Sequence, residues 1–226
     1  MAVKHLLFDL DNTLYPSSSA MDKGITIRML ECVADFFHCD IKTAEQLKKE
    51  NIIHHSTTLE WLRSEGLTDI ESFLAHVHPD NEADELQPQP GLREFLISLP
   101  YPKSILTNAP KEHAERVMEK LNISDLFQAV TDIRDADFFG KPYPNSYKAA
   151  LAKTGTKIEE TLFLDDLTKY TDGWCALGGT AILIGNQNGR PLADDAKALA
   201  NKDRSTWGKT IALPSIYELP SILERM

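Results

Sequence analysis

The sequence predicts an α/β fold: a Rossmann-like parallel sheet with helices on both faces and an α-helical segment inserted near the N-terminus. Three observations predict it. Short apolar runs with no polar face alternate with helical patterns over the later two-thirds of the chain, the signature of a parallel sheet with crossover helices. Residues 17–88, by contrast, show helical periodicity and no convincing strand. The apolar runs also end in polar residues: Leu6-Leu7-Phe8 before Asp9, Ile105-Leu106 before Thr107-Asn108, and Thr161-Leu162-Phe163-Leu164 before Asp165-Asp166. Ligands of open parallel sheets bind at those carboxyl ends.

Val3 to Leu10 has no polar face and so reads as a strand inside the sheet. Pro16 breaks it. Ile25, Met29, Leu30, Val33, Phe36 and Phe37 then recur at helical spacing. Ile41 to Ile53 reads as a second helix with Thr43 as its N-cap, Thr57 to Glu65 as a third stopped by Gly66, and Asp69 to Val77 as a fourth. The proline-containing, acidic stretch Pro79 to Gly91 reads as the return linker. Helix and strand then alternate: Leu92 to Leu99 (helix), Lys103 to Thr107 (strand), Pro110 to Leu121 (helix, Asn108 as N-cap), Ala129 to Thr131 (strand), and Asn145 to Thr154 (helix ended by Gly155). Thr161 to Leu164 follows as a strand, Trp174 to Leu177 as a helix, Thr180 to Ile184 and Lys209 to Leu213 as strands, and Ile216 to Leu223 as a terminal helix. Asn186 to Ser205 reads as helix plus loop. The expected domains are a core of residues 1–16 and 89–226 and a helical cap of residues 17–88.

With 226 residues the chain can bury one α/β core plus a smaller insert. A formal net charge of −10 argues against a nucleic-acid binder, though a local cation can still hold a small phosphorylated metabolite. The cysteines Cys32, Cys39 and Cys175 are odd in number and lack metal-ligand spacing, which points away from a disulfide framework and toward a reducing, cytoplasmic setting. The first apolar run is too short for a signal peptide, and no apolar stretch approaches the length of a membrane span. His54-His55 and His76-x-His78 are read as cap-face or linker histidines, because neither pair has a third ligand at a suitable spacing for zinc. Trp61 and Phe36-Phe37 are read as helix-bundle core, and Cys175 as a buried structural thiol. Ser56, Thr57 and Thr58 are a capping cluster that also suits a substrate-facing loop.

The polar strand ends carry the chemistry. Asp9 and Asp11 follow the first strand, Thr107 and Asn108 the second, Lys141 lies in the loop after the third, and Asp165-Asp166 follow the fourth. Carboxylates at one sheet edge suit a hard cation such as Mg²⁺. A carboxylate can attack phosphorus, and a second can protonate the leaving alkoxide and then activate water. A hydroxyl, an amide and a helix N-terminus can hold the transferring oxygens, with lysine balancing charge. A calcium loop is excluded for residues 9–20, since no Gly stands at the sixth position and Ala20 occupies the twelfth.

DLDNT, ILTN, GKP and LDD, in that order, resemble the four motifs of the haloacid dehalogenase-like (HAD) hydrolase superfamily, and the helical insert directly after the first resembles its C1-type cap. HHSTTLEWL, LREFLISLP, ILTNAPKEHAERVMEKLNI and GKPYPNSYKAAL are similar to its pyrimidine 5′-nucleotidase-type branch. The resemblance implies a Mg²⁺-dependent phosphomonoester hydrolase forming an aspartyl phosphate, with a nucleoside 5′-monophosphate as the first candidate substrate. It implies Asp9 as nucleophile and metal ligand, and Asp11 as general acid/base with its backbone carbonyl on the metal. It further implies Thr107 and Asn108 as phosphate binders, Lys141 as the charge-balancing lysine, Asp166 as metal ligand and Asp165 as a supporting carboxylate. One position departs from the pattern: Tyr170 stands where many relatives place Asn or Asp, with Asp172 as a possible substitute. The rivals are another small-metabolite phosphatase or a phosphomutase, a dehalogenase (which would need neither metal nor Asp11), and a non-catalytic binding or regulatory module on the same fold.

Overall fold

Six strands form one all-parallel sheet in the computed structural model, which describes residues 3–16, 19–185 and 208–224. They are β1 (His5–Phe8), β2 (Lys103–Leu106), β3 (Val130–Thr131), β4 (Thr161–Asp165), β5 (Thr180–Ile184) and β6 (Thr210–Leu213), in the spatial order β3-β2-β1-β4-β5-β6. The first strand in sequence is central because it has no polar face to offer water: all four of its residues are buried. Phe8 registers with Ile105 on one side and Leu164 on the other.

The two-residue period of the strands divides the core between the faces of the sheet. Leu6, Phe8, Ile105, Leu162, Leu164, Ile182 and Ile184 join the larger apolar cluster, whereas Leu7, Leu106, Phe163 and Ala181 join a second one. The smaller cluster is covered by α7 (Pro144–Thr154) and α8 (Thr168–Ala176) through Tyr147, Ala150, Trp174 and Cys175. The opposite face is covered by α5 (Leu92–Ser98) and α6 (Lys111–Lys120) through Leu92, Leu96, Ala114 and Val117.

Between β1 and β2 lie α1 (Ala20–Phe37), α2 (Ile41–Asn51), α3 (Thr58–Ser64) and α4 (Ile70–Val77). Trp61 is buried, with Phe37 stacked on it at 5.3 Å between ring centroids, so both belong to the packed interior of this segment. Such aromatic pairs contribute ~0.5–1.5 kcal/mol beyond area burial. The segment is tied down on the strand ends by polar contacts. Arg63 donates to the Phe138 carbonyl at 3.0 Å, Arg134 grips Glu71 at 2.7 and 2.9 Å, and Lys169 donates to the Ser56 carbonyl at 2.7 Å.

Several local expectations change. The N-cap of α2 is Asp40, whose carboxylate accepts the Thr43 amide; Thr43 is the recipient of the cap. The cap position of α6 is Pro110, not Asn108, and Asp132 accepts the Lys111 amide at 2.9 Å instead. The stretch Pro79 to Gly91 is not merely a linker, because it forms a one-turn helix at Glu82–Glu85 with Glu82 buried. Helix α8 starts at Thr168, six residues before the expected Trp174, since polar residues on its outer face hid its apolar side. The reading of Asn186 to Ser205 lies outside the described residues. Among the described residues no helix is long and apolar enough to cross a membrane.

Candidate active site

The site is built at the carboxyl end of β1 and its neighbours. Asp9 continues the ladder by donating its amide to the Leu164 carbonyl at 2.8 Å, so its carboxylate is fixed at the top of the sheet. The chain then turns sharply: the amides of Thr13 and Leu14 return to the Leu10 carbonyl, with Asn12 at a φ of 66°, a region Asn tolerates better than most residues. The turn brings the Thr13 hydroxyl back to Asp9 Oδ2 at 2.9 Å.

Lys141 enters from the loop after β3. Its ammonium, fully buried, lies 2.5 Å from Asp9 Oδ1 and 2.6 Å from Asp165 Oδ2. Phe163 and Tyr170 present their rings to it, at 5.6 and 4.9 Å from the centroids. The Lys141 backbone is held by one side chain: Asn108 accepts its amide at 2.7 Å and donates to its carbonyl at 3.0 Å. Gly140 permits this approach, for a Cβ there would lie 2.2 Å from Asn108 Oδ1. Tyr170 completes the clamp by accepting from the Asn108 amide group at 3.1 Å. The residue that departs from the usual pattern therefore supports the lysine loop.

Asp165 and Asp166 end β4. Asp165 is buried and committed, accepting from Lys141 and from the Leu167 amide at 2.9 Å. Asp166 is partly exposed and lines the cavity. Carboxylate oxygens of Asp9, Asp165 and Asp166 all lie within 4.8 Å of one another. Burial pushes the Asp9 carboxyl up to about 7; Lys141 opposes the rise, and Asp165 and Asp11 add to it. Burial, with Asp165 and Asp9 nearby, pushes Asp166 up to about 8. Lys141, by contrast, is held protonated against burial by Asp165 and Asp9. One ammonium among three carboxylates leaves the group short of positive charge, and a hard divalent cation suits such a donor set.

Asp11 faces the same cavity but has different partners. Its Oδ1 accepts from His113 Nε2 at 2.7 Å and from the Tyr15 hydroxyl, and its Oδ2 stands 3.4 Å from the Thr107 hydroxyl. Burial would raise this carboxyl, but His113 and the Tyr15 hydrogen bond bring it down to about 2. His113 is pushed up to about 10, because Asp11 and Glu82 outweigh the effect of its burial. Its Nδ1 meets Glu82 Oε1 at 2.7 Å, and Glu82 also meets His78 at 3.0 Å and Arg116 at 2.8 Å. Thr107 donates toward Asp11 and accepts the Ala109 amide at 3.0 Å, at the entry to α6.

The structure thus brings together Asp9, Asp11, Thr107, Asn108, Lys141 and Asp166 around one cavity of about 310 Å³, with Asp165 directly behind Lys141. The roof comes from the inserted helices and is largely apolar, with Ile25, Met29, Leu59, Phe73, Leu74 and Val77. Thr57 and Thr58 line the cavity as well, while Thr57 also caps α3 by accepting the Glu60 amide at 3.1 Å. Sequence reasoning missed His113, Glu82 and Tyr15. It also left His78 without a partner, whereas His78, Glu82 and His113 form one buried cluster. The available signal was the place of His113 in the first turn of α6, whose N-terminus adjoins Thr107-Asn108.

Comparison with known proteins agrees with this architecture. Phosphate metabolism protein 8 of Saccharomyces cerevisiae is 24% identical over 246 residues, spanning 99% of this chain and 73% of that protein. Similar folds include YfnB of Bacillus subtilis, a HAD-hydrolase bound to magnesium (TM-score 0.65, 16% identity, 99% of both chains) and a HAD phosphatase from Thermococcus onnurineus (0.63, 19%, 98% of both chains). L-2-haloacid dehalogenase from Xanthobacter autotrophicus is also similar (0.60, 17%, 99% of both chains). A family model for haloacid dehalogenase-like hydrolases matches residues 3–168, and the chain belongs to that family.

Proposed function

We propose that this hydrolase is a Mg²⁺-dependent phosphatase acting on a small phosphomonoester through an aspartyl phosphate on Asp9. The observation that carries the proposal is the pairing of Asp9 and Asp11 at one cavity in contrasting environments. Asp9 is held by a lysine and a threonine, whereas Asp11 is held by a histidine and a tyrosine with its second oxygen toward Thr107. A dehalogenase needs the first carboxylate and has no work for the second.

Asp9 attacks phosphorus, forming the Asp9 O–P bond as the P–O bond to the alcohol breaks. Asp11, which takes up a proton once the phosphate dianion lies beside it, delivers that proton to the departing alkoxide. Water then attacks the same phosphorus, Asp11 removes its proton, and the Asp9 O–P bond breaks to free the carboxylate. The Thr107 hydroxyl and the backbone amides from Asn108 onward bind the transferring oxygens, and Lys141 orients Asp9 while balancing charge. Asp9, Asp166 and the Asp11 carbonyl would hold Mg²⁺, which supplies charge neutralisation of the phosphoryl group. Residues 17–88 act as a cap that excludes bulk water and selects the alcohol, with residues 1–16 and 89–226 as the catalytic core.

The finer assignment is a nucleoside 5′-monophosphate in a cytoplasmic setting. It is supported by the likeness of the cap and loop sequences to the pyrimidine 5′-nucleotidase-type branch. A cavity of about 310 Å³ lined by Phe73 and Met29 together with Thr57 and Thr58 also suits it, offering both apolar surface and hydroxyls. The test is phosphate release from a panel of pyrimidine and purine monophosphates, sugar phosphates and pyridoxal phosphate, with Mg²⁺ and with EDTA. Mg²⁺-dependent release that Asp9→Asn abolishes supports the chemistry, and the ranking of kcat/KM decides the substrate. Unchanged turnover in Asp9→Asn or in EDTA overturns it.

A further inference from the structure

We propose that His113 is the positioning residue for Asp11, and that Glu82, on the segment returning from the helical insert, orients His113 for that task. The proposal rests on the phosphatase reading in taking Asp11 as the proton-transfer group.

The geometry is a continuous chain of contacts. Glu82 Oε1 holds His113 Nδ1 at 2.7 Å, and His113 Nε2 holds Asp11 Oδ1 at 2.7 Å. Both ring nitrogens are therefore engaged, which fixes the rotation of the imidazole as well as its place. His113 and Glu82 are wholly or almost wholly buried. The His78 ring packs on His113 with centroids 4.5 Å apart. Glu82 is itself fixed by His78 and by Arg116 at 2.8 Å, so no member of the chain can turn without breaking a buried polar contact.

The effect on Asp11 is specific. An aspartate carboxylate can rotate about both of its side-chain bonds, and a proton-transfer group works only when one lone pair faces the reacting oxygen. His113 and Tyr15 both take Oδ1. Oδ2 is thereby presented to the cavity, beside the Thr107 hydroxyl at 3.4 Å. Glu82 belongs to the one-turn helix after α4, and His78 is the residue that ends α4. Orientation of Asp11 thus depends on the end of the helical insert being docked against α6, which links the seating of the cap to the readiness of the acid/base.

Two substitutions separate positioning from mere packing. The amide nitrogen of asparagine falls near imidazole Nδ1, and that of glutamine near Nε2. His113→Asn keeps a donor for Glu82 and loses Asp11, whereas His113→Gln keeps Asp11. Each is compared with the wild-type protein in Mg²⁺, using p-nitrophenyl phosphate, whose leaving group needs little protonation, and the alkyl phosphate that wild type turns over fastest. Crystal structures of both variants accompany the kinetics. A general acid/base contributes ~10²–10⁴-fold. His113→Asn is expected to lower the single-turnover rate of alcohol release from the alkyl ester by about 10- to 100-fold, a part of that contribution, with single-turnover release of p-nitrophenol changed little, while the later hydrolysis of the intermediate, which also uses Asp11, slows alike for both esters. Asp11 leaves its Tyr15 partner or turns in the crystal of this variant, and His113→Gln restores both its orientation and most of the single-turnover rate. An equal fall in the single-turnover release of both alcohols in both variants, or an unmoved Asp11 in His113→Asn, overturns the proposal. If wild type releases phosphate from no ester, the phosphatase reading fails, and the two crystal structures alone decide whether His113 positions Asp11.

Discussion

The Lys141 ammonium lies between two carboxylates, 2.5 Å from Asp9 and 2.6 Å from Asp165, with all three groups buried. This is a charge triad in which the cation is indispensable, because either carboxylate alone in that setting would lack compensation. Breaking a buried ion pair by removing one partner costs ~3–5 kcal/mol. Lys141→Met should therefore destabilise the fold by about that amount in urea unfolding at pH 7.5 with EDTA. Millimolar Mg²⁺ should recover part of the loss in the variant. Equal stability of variant and wild type would show that the triad is already neutral through protonation.

Metal binding is expected to raise stability through mass action, by ~2.7 kcal/mol at a Mg²⁺ concentration of 100 Kd. Wild type should show a rise in Tm with Mg²⁺, and Asp166→Asn should show little or none. Activity lost in EDTA should return with Mg²⁺ in wild type alone. An undiminished Mg²⁺ shift in Asp166→Asn would move the metal away from this residue.

The Asn108 clamp predicts a steric effect at Gly140. A Cβ there meets Asn108 Oδ1 at 2.2 Å, so Gly140→Ala must push Asn108 off the Lys141 backbone. Overpacking of this kind costs ~1–3 kcal/mol. The expected result is a lower Tm and a larger fall in kcat than in KM. If Asn108 instead acts only on the phosphate, Gly140→Ala should raise KM and leave kcat near wild type.

A pH dependence follows from His113, whose folded-state value near 10 lies above the 6.5 of an unperturbed histidine. Folding therefore binds a proton more tightly. The associated stability is complete below about 6.5 and is lost as pH rises from there through about 10. His113→Gln cannot titrate. The Tm gap between wild type and His113→Gln should be widest near pH 6 and narrow steadily toward pH 10. A gap that widens with pH would reverse the assignment of charge to the His113–Asp11 pair.

What could be read directly from the residues follows physical range. Leu6-Leu7-Phe8 and Thr161-Leu162-Phe163-Leu164 are apolar on both faces, and a strand buried on both faces has to look that way. Asp9, Asp11 and Asp165-Asp166 follow them immediately, so the polar edge of the sheet, where the cavity lies, is legible too. Helix α8 was seen only in its last turn, because Thr168, Lys169 and Asp172 dilute its apolar side. The His113–Asp11 contact joins residues 102 positions apart and leaves no periodic trace. Glu82 stands in an acidic, proline-flanked stretch that has the composition of solvated linker, and packing against α1 and α6 buries it. Asn108 illustrates a competition between local and distant partners: asparagine is a good N-cap, but Lys141 offers both an amide and a carbonyl, and two hydrogen bonds to one backbone unit win.

The central claim is that Asp9 carries the phosphoryl group. The most direct measurement is rapid acid quench of the wild-type protein during turnover of a ³²P-labelled phosphomonoester in Mg²⁺, followed by peptide mapping. The account predicts acid-stable label on the peptide containing Asp9 and none in Asp9→Asn. Turnover that proceeds with no label on protein, or with label on a different residue, would contradict it.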